Sequence, residues 1–512
     1  MSNKKYNFKP LQNGSDIRGI SLSGVPGEPP NLTGPEATRL TQGFLLWLSE
    51  ETGKAPSDLT VAVGRDPRMS GQMLKHGVIS GFGPYGTKVL DCGLASTPAM
   101  FMSTVFPEFD CDGAIMITAS HLPYHRNGFK YFHKGGGLQK SDIAKIIDYA
   151  QEGCTALGQP THPDASFKVL GKVSWPSTEV DLMEVYCAHL RNLIIQGVGG
   201  DAPLSGLKIA VDAGNGAGGF FARKVLQPLG ADVRASQYLE PDGTFPNHMP
   251  NPEDPKAMTD LATTVITKGV DLGLIFDTDV DRSAAVDGKG REIARNEIVA
   301  LAAALVAEDH PGSTVVTDSI TSDQLTVFLE KELGLKHLRY MRGYKNVINK
   351  AAELDDAFLA IETSGHGAFK ENYFLDDGAF LATKIVIKAA NLAKEGKSID
   401  LLIDRLEKPK EAKEIRMAIT CPDFSDYGDE LLSDLKLWVK EDAEGLSLEE
   451  PNYEGVRINV PQASGWCLLR KSLHDPIMPL NIESNKIGGV AEIAEILAEF
   501  LSQYPSLDTT KL

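Results

Sequence analysis

One order of elements recurs three times along the chain, and it restricts the fold more than any single motif does. A short apolar strand runs into a polar loop, then a helix, then a second strand. The first copy reads as a strand at residues 60–63, a loop at 64–71, a helix, and a strand at 88–90. The second has a strand at 208–211, a loop at 212–219, a helix at 220–229 and a strand around Val233. The third has a strand at 314–316, a loop at 317–323, a helix at 325–333 and a strand around Leu338. Each copy later supplies a further strand, at 114–117, 272–276 and 358–361, whose unbroken apolar run reads as covered on both faces of a parallel sheet. These runs end at reactive side chains: Ser120, Asp277 and Glu362. The uneven spacing excludes a short-period solenoid. The expected architecture is three related mixed-sheet α/β units, each offering its strand ends to a ligand as open parallel sheets do.

At 512 residues the chain is long enough for roughly three or four domains. Residues 152–173 are rich in Gly and Pro and lack periodicity, residues 287–291 read as a turn, and 408–414 are highly charged. From about residue 415 the pattern becomes that of a small α+β domain that closes with an apolar helix over 490–501. The expected boundaries are therefore 1–165, 166–290, 291–409 and 410–512. Thr33 and Glu36 form a capping-box pair ahead of a helix whose Leu40, Phe44, Trp47 and Leu48 share one face.

A formal net charge of −18 argues against salt-driven binding to nucleic acid or an anionic membrane, since both require a basic face. An anionic ligand must then be held by a local basic pocket. The six cysteines show neither CxxC pairing nor zinc-type spacing, as expected of reduced thiols in a cytoplasmic protein. The first residues carry no apolar signal-peptide core. The longest apolar run, 298–307, falls well short of the ~20 residues of a membrane span.

Ser120 stands where a buried strand ends, among His121, His125, Arg126 and Lys130. A small hydroxyl among cations and proton carriers suits a serine that carries phosphate. Asp277, Asp279 and Asp281 occupy alternate positions just past the second buried strand, followed by Arg282. In an extended or tightly looped backbone such carboxylates converge, whereas on a helix they splay apart. Their oxygens select a hard cation. An EF-hand would need Gly sixth and Glu twelfth, where this chain has Arg282 and Gly288. Mg²⁺ held by carboxylates and a phosphate oxygen fits better, with Arg282 and Lys130 offsetting the surplus negative charge. The competing reading is a solvated acidic turn.

Glu362 and Ser364 could bond adjacent sugar hydroxyls and His366 could move a proton, although a polar loop without function would look the same. Arg470, Lys471, Ser472 and His474 could clamp a phosphate, or form an exposed basic turn. Gly214, Gly216 and Gly219 match the dinucleotide fingerprint, with Glu240 and Asp242 at the distance of a ribose-binding acid. That match would favour an NAD(P)-dependent oxidoreductase, but it sits in the second repeat and leaves Ser120 and the aspartates unexplained. No nucleophile elbow and no Walker A loop is present.

In this order, over nearly the whole chain, these stretches resemble the α-D-phosphohexomutase family of phosphomannomutases and phosphoglucomutases. TASHLP at 118–123 looks like its phosphoserine loop, DTDVDR at 277–282 its metal loop, ETSGH at 362–366 its sugar loop and 470–476 its phosphate loop. DIRG at 16–19, GRDPRMSG at 64–71 and PDGTFPNHMPNP at 241–252 are lesser matches. The resemblance implies three α/β domains and a smaller fourth around a central cleft. It also implies interconversion of hexose 1-phosphate and hexose 6-phosphate through phosphorylated Ser120 and a hexose 1,6-bisphosphate.

On that basis Ser120, Asp277, Asp279 and Asp281 would hold Mg²⁺, and Arg282 would stabilise transition-state charge. Lys130 and His366 would handle protons or phosphate, and Arg18 would lie near the phosphoserine. Glu362, Ser364 and His121 would contact the sugar phosphate, with Arg470 and Ser472 on the phosphate not being transferred. Partners would be small sugar phosphates, with the chain a monomer or homodimer. A phosphoglucosamine mutase is the alternative within the family. The sequence departs from the family pattern at Leu122, where Asn is common, and at Leu473, His474 and Asp475, which replace Gly, Thr and Glu. A non-catalytic sugar-phosphate-binding relative is therefore the alternative from another class.

Overall fold

The computed structural model describes residues 7–159, 167–169, 172–472 and 475–512. The chain divides into two compact units, residues 1–298 with 364–401, and residues 299–363 with 402–512. The first contains the first two repeats, and the second contains the core of the third repeat and the C-terminal α+β region. All six cysteines are free thiols, and among the described residues no helix is long and apolar enough to cross a membrane.

In the first repeat, Thr60–Arg65 lies between the parallel strands Lys88–Leu94 and Gly113–Ile117. Beyond Gly113–Ile117 the sheet turns antiparallel through Arg126–His133 and Asp16–Ile20. The helix Gly34–Thr52 begins at the expected Thr33/Glu36 capping box, each side chain satisfying a backbone N–H of the first turn. Its Leu40, Phe44, Trp47 and Leu48 are buried with Val61, Ile115 and Phe129 of the sheet. Gly113–Ile117 is buried along its whole length, as its unbroken apolar run requires.

The second repeat is smaller. Ile209–Asp212 pairs in parallel with Leu272–Phe276, which then pairs antiparallel with Ser283–Asp287. The expected strand around Val233 is absent. That segment meets the sheet only through single bridges, Lys208 to Asp232 and Asp212 to Gln237. Main-chain bonds join the two at Asp232 and Gln237, but between them a side chain interrupts the ladder, Val211 N donating to Ser236 Oγ at 3.0 Å. The preceding helix is also irregular, a π-helical turn at Phe221–Leu226 followed by a 3₁₀ turn containing Pro228.

The glycine fingerprint in this repeat serves backbone packing. A Cβ on Gly216 would lie 2.8 Å from Thr278 O, and one on Gly219 would lie 2.2 Å from Leu239 O. Gly216 lets the chain approach the loop that follows Leu272–Phe276, and Gly219 lets it approach the backbone at Leu239. Glu240 is paired with Arg223, and Asp242 accepts from Thr244.

In the second unit, Thr314–Thr317 lies between Lys336–Arg339 and Ala357–Ile361, all parallel. The C-terminal sheet is antiparallel, in the order Glu411–Ala418, Ile477–Ser484, Gly465–Leu469, Val456–Val460, Ser447–Leu448. The helices Phe424–Glu441 and Gly489–Leu501 bury Leu431, Leu435, Ile493 and Leu497 against it.

Candidate functional site

The first unit gathers most of the expected site residues. At the end of Gly113–Ile117 the chain turns sharply, and Ser120 takes φ +49° with its side chain buried. A left-handed conformation at a non-glycine residue is uncommon and persists only where its surroundings hold it. Ser120 Oγ donates to Asp277 Oδ2 at 3.1 Å and accepts from Arg282 Nη2 at 3.2 Å. Arg282 is fully buried, and its Nε donates to the same Asp277 oxygen at 3.1 Å. Thus serine, aspartate and arginine share one hydrogen-bond triangle.

His121 is exposed on its outer side, yet its Nδ1 accepts from Arg282 Nη2 at 2.7 Å. Desolvation of its inner side, with the Arg282 and Arg18 guanidiniums, depresses its pKa and keeps the ring neutral. Arg18 donates to Thr118 O at 2.5 Å, two residues before the serine. His125 does not join this group and bonds Glu28 at 2.8 Å.

The alternate aspartates converge as expected. Val280, a β-branched residue at φ +68°, reverses the loop so that oxygens of Asp277, Asp279 and Asp281 lie within 4.8 Å of one another. All three are buried. Asp279 is held by Thr97, whose hydroxyl donates to Oδ2 and whose N–H donates to the main-chain oxygen at 2.8 Å. Asp279 Oδ1 and Asp281 Oδ1 are buried without a hydrogen-bond partner among the described residues. Unsatisfied carboxylate oxygens this deep are costly, and an all-oxygen donor set of this kind fits a hard divalent cation.

Electrostatics separate the aspartates. Burial and then the neighbouring Asp281 charge raise Asp277 well above the usual carboxylate range. Burial works on Asp281 in the same direction, but Lys130, with Nζ 2.6 Å from Oδ2, and then His366 and Arg282 hold it well below that range.

His366 follows the turn at 364–365, whose Gly365 O accepts from Ser283 N at 3.2 Å, and forms a bridge to Arg282. Its Nδ1 makes a short contact with Asp376 Oδ2 and lies 3.9 Å from Asp281. Burial lowers the basicity of the imidazole, but Asp376 and Asp281 overcome it and lift the pKa to about 9. This ring is therefore an imidazolium at neutral pH. Ser364 opens the same turn, and its Oγ is buried with no partner among the described residues.

The second unit carries the remaining expected residues. Glu362 Oε1 accepts from Gly343 N at 2.6 Å. Arg470 is mostly buried, its Nε without a partner among the described residues and its Nη1 3.9 Å from Glu454. Ser472 Oγ accepts from Asp475 N at 3.2 Å, while Leu473 and His474 lie outside the described residues.

Four residues here escape a reading by motif. Asp376 lies ten positions beyond His366 on the strand Leu375–Asp376, paired with Gly367–Phe369. Thr97 anchors Asp279 across 182 residues of chain. Asp318 is buried at the end of Thr314–Thr317, where Thr363 donates to it at 2.7 Å. Arg68 lies within GRDPRMSG at 64–71, a match that implies no role for it. The local signal for each is no more than a polar residue within three positions of a strand end.

Three parallel-edged α/β repeats with a serine, a carboxylate cluster and buried cations at their strand ends define a phosphohexomutase, an isomerase of hexose phosphates. Family models bear this out in order: phosphoglucomutase/phosphomannomutase α/β/α domain I matches residues 10–155, domain II 184–290 and domain III 294–409. The chain belongs to the phosphoglucomutase/phosphomannomutase family. It is 30% identical to a phosphoglucomutase from Neisseria meningitidis over 87% of this chain and 89% of that protein. It is likewise 30% identical to a phosphoglucomutase/phosphomannomutase from Thermococcus kodakarensis, over 94% and 98%. Among solved structures, a phosphoglucomutase/phosphomannomutase family protein from Burkholderia thailandensis superposes with a TM-score of 0.76 at 24% identity, covering 96% of this chain and 97% of that one. A Paramecium phosphoglucomutase in an open form gives 0.72 at 15% identity, covering 98% and 96%. These two likenesses concern the fold.

Proposed function

We propose that the chain interconverts the 1- and 6-phosphates of glucose, mannose or both by phosphoryl transfer through Ser120. Phosphorylated Ser120 gives its phosphoryl group to the free hydroxyl of a hexose monophosphate; the Oγ–P bond breaks, the hydroxyl proton passes to a base in the site, and Ser120 Oγ takes up a proton as it leaves. The resulting hexose 1,6-bisphosphate returns its other phosphoryl group to Ser120, leaving the isomeric monophosphate. The observation that carries this reading is the Ser120 hydroxyl held at 3.1 Å from Asp277 and 3.2 Å from Arg282. Such transfer depends on positioning and charge stabilisation.

Asp277, Asp279 and Asp281, with an oxygen of the phosphoserine, would hold Mg²⁺, which when bound neutralises charge on the transferring group. Arg282 stabilises the same charge from its buried position. His366, fixed through Nδ1 by Asp376, is a proton carrier, and Lys130 is an acid/base group or phosphate contact. His121, Glu362 and Ser364 hold the sugar phosphate, while Arg470 and Ser472 hold its distal phosphate. The domains end near residues 165, 290 and 409. The relatives named phosphoglucomutase and phosphoglucomutase/phosphomannomutase support glucose and mannose as the sugars.

The test is Ser120→Ala. Intact-mass and peptide analysis should locate phosphate on Ser120 of the parent, and the variant should lose at least a thousandfold in glucose 1-phosphate turnover, on the order of removing a nucleophile. Full activity in Ser120→Ala would sink the mechanism. A coupled assay across glucose, mannose and glucosamine 1-phosphates decides the sugar. Steady turnover of any of them rejects a purely binding role.

A further inference from the structure

The backbone of the serine loop converges on a single side chain. Arg68, in the loop between Thr60–Arg65 and the helix Gly71–Phe82, is 1% exposed. Its Nη2 donates to Ser120 O at 2.5 Å and Leu122 O at 2.6 Å. Its Nη1 donates to Pro123 O at 2.8 Å and Arg126 O at 3.2 Å, and its Nε to Asp66 Oδ2 at 3.1 Å. A guanidinium has five N–H groups, so every one is engaged within the protein.

The network reaches the serine from its other side as well. Asp66 accepts Thr118 Oγ1 at 2.8 Å, and Thr118 Oγ1 accepts the N–H of Ser120 at 2.9 Å. Both the N–H and the C=O of Ser120 are therefore tied to residues 66–68, which explains how the residue keeps φ +49°. The second repeat closes over this arrangement. The Phe245 ring centroid is 5.2 Å from the Arg68 guanidinium carbon, and a Cβ on Gly243 would lie 2.4 Å from Pro67 O.

We propose that Arg68 is a positioning residue for phosphoryl transfer, fixing the serine loop so that Ser120 Oγ meets Asp277 and Arg282, while touching no substrate itself. The proposal rests on the mutase reading above. Lysine cannot replace this arginine, because one ammonium carries three hydrogens from a single point and leaves part of the carbonyl set unmet. A misplaced nucleophile costs on the order of 100-fold in rate when the displacement is about 1 Å. Of the groups that hold the sugar phosphate, His121 shares this loop, whereas Glu362 and Ser364 lie on another, so binding should change less than turnover.

The experiment compares the full-length parent with Arg68→Lys and Thr118→Val. Steady-state turnover of glucose 1-phosphate is measured with Mg²⁺ and a bisphosphate primer, and amide hydrogen exchange is followed in peptides spanning 118–126. Arg68→Lys should lower kcat about 100-fold with KM changed less than about threefold. Thr118→Val, which loses one bridging hydroxyl, should lower kcat about tenfold. Exchange over 118–126 should accelerate at least about tenfold in both, with residues 113–117 unchanged. A merely structural arginine would lower stability and leave kcat of the folded enzyme alone. Either variant folded with kcat within about twofold of the parent, or with unchanged exchange over 118–126, overturns the proposal. If Arg68→Lys does not fold, Thr118→Val decides, since it keeps the Asp66–Arg68 pair. Failure of the mutase reading shows instead as a parent without turnover, in which case the exchange data still accept or reject the clamp.

Discussion

Replacing Lys130 with methionine keeps much of the side-chain volume and removes its charge. Lys130 Nζ lies 2.6 Å from Asp281 Oδ2, and the two side chains are 5% and 1% exposed. Solvent screening therefore does little to soften the loss. Asp281 also faces Asp277 and Asp279 within the same cluster. Removing one partner of a buried pair typically costs about 3–5 kcal/mol, because the other charge remains unpaired. That corresponds to roughly a hundredfold to several thousandfold faster exchange of the slowest amides in residues 272–287 if they open locally. The assay is hydrogen exchange of those peptides in chelator, for parent and Lys130→Met. Millimolar Mg²⁺ should then raise the melting temperature of the variant by more than that of the parent, because a bound cation replaces the missing charge. Exchange within about threefold of the parent, or equal Mg²⁺ shifts in the two proteins, would refute this account of the charge balance.

Two further outcomes follow from the electrostatics of the site. The pKa of His366, about 9, stands above the ordinary 6.5, so the stability it contributes is fully present below pH 6.5 and is lost as pH rises through about 9. Turnover should fall along the same limb as the imidazolium loses its proton, and Asp376→Asn should move that limb to lower pH in a pH–rate profile; an unmoved limb excludes Asp376 as the cause. Arg470→Ala should raise KM for the hexose phosphate about 10- to 100-fold with a smaller change in kcat, the scale of charge-assisted bonds to a phosphate. Unchanged KM in steady-state kinetics removes Arg470 from substrate binding.

Much of this site is legible in the sequence, for identifiable reasons. The strand Gly113–Ile117 shows in the sequence because burial on both faces demands an unbroken apolar run. The Thr33/Glu36 helix start shows because backbone N–H groups at a helix end require side-chain partners. Asp277, Asp279 and Asp281 show because alternate carboxylates on a looped chain converge. The segment around Val233 is not a strand, because apolar propensity there does not reveal that Ser236 takes the hydrogen bond of Val211 N. Arg68 and Asp376 leave no further sequence signal because their partners are distant or carry no residue signature. A main-chain carbonyl looks the same at every position of a sequence, so four of them meeting one guanidinium leave no local mark.

The sequence by itself determined the three repeats, the reactive groups at their strand ends and the family those groups belong to. Periodicity and residue chemistry are local properties, and they survive in one dimension. Only the tertiary structure decided which groups share a proton or a charge: Ser120 with Asp277 and Arg282, Lys130 with Asp281, His366 with Asp376. Those pairings span from 10 to 162 residues of chain. They depend on burial and on distances of about 3 Å, which sequence spacing does not encode.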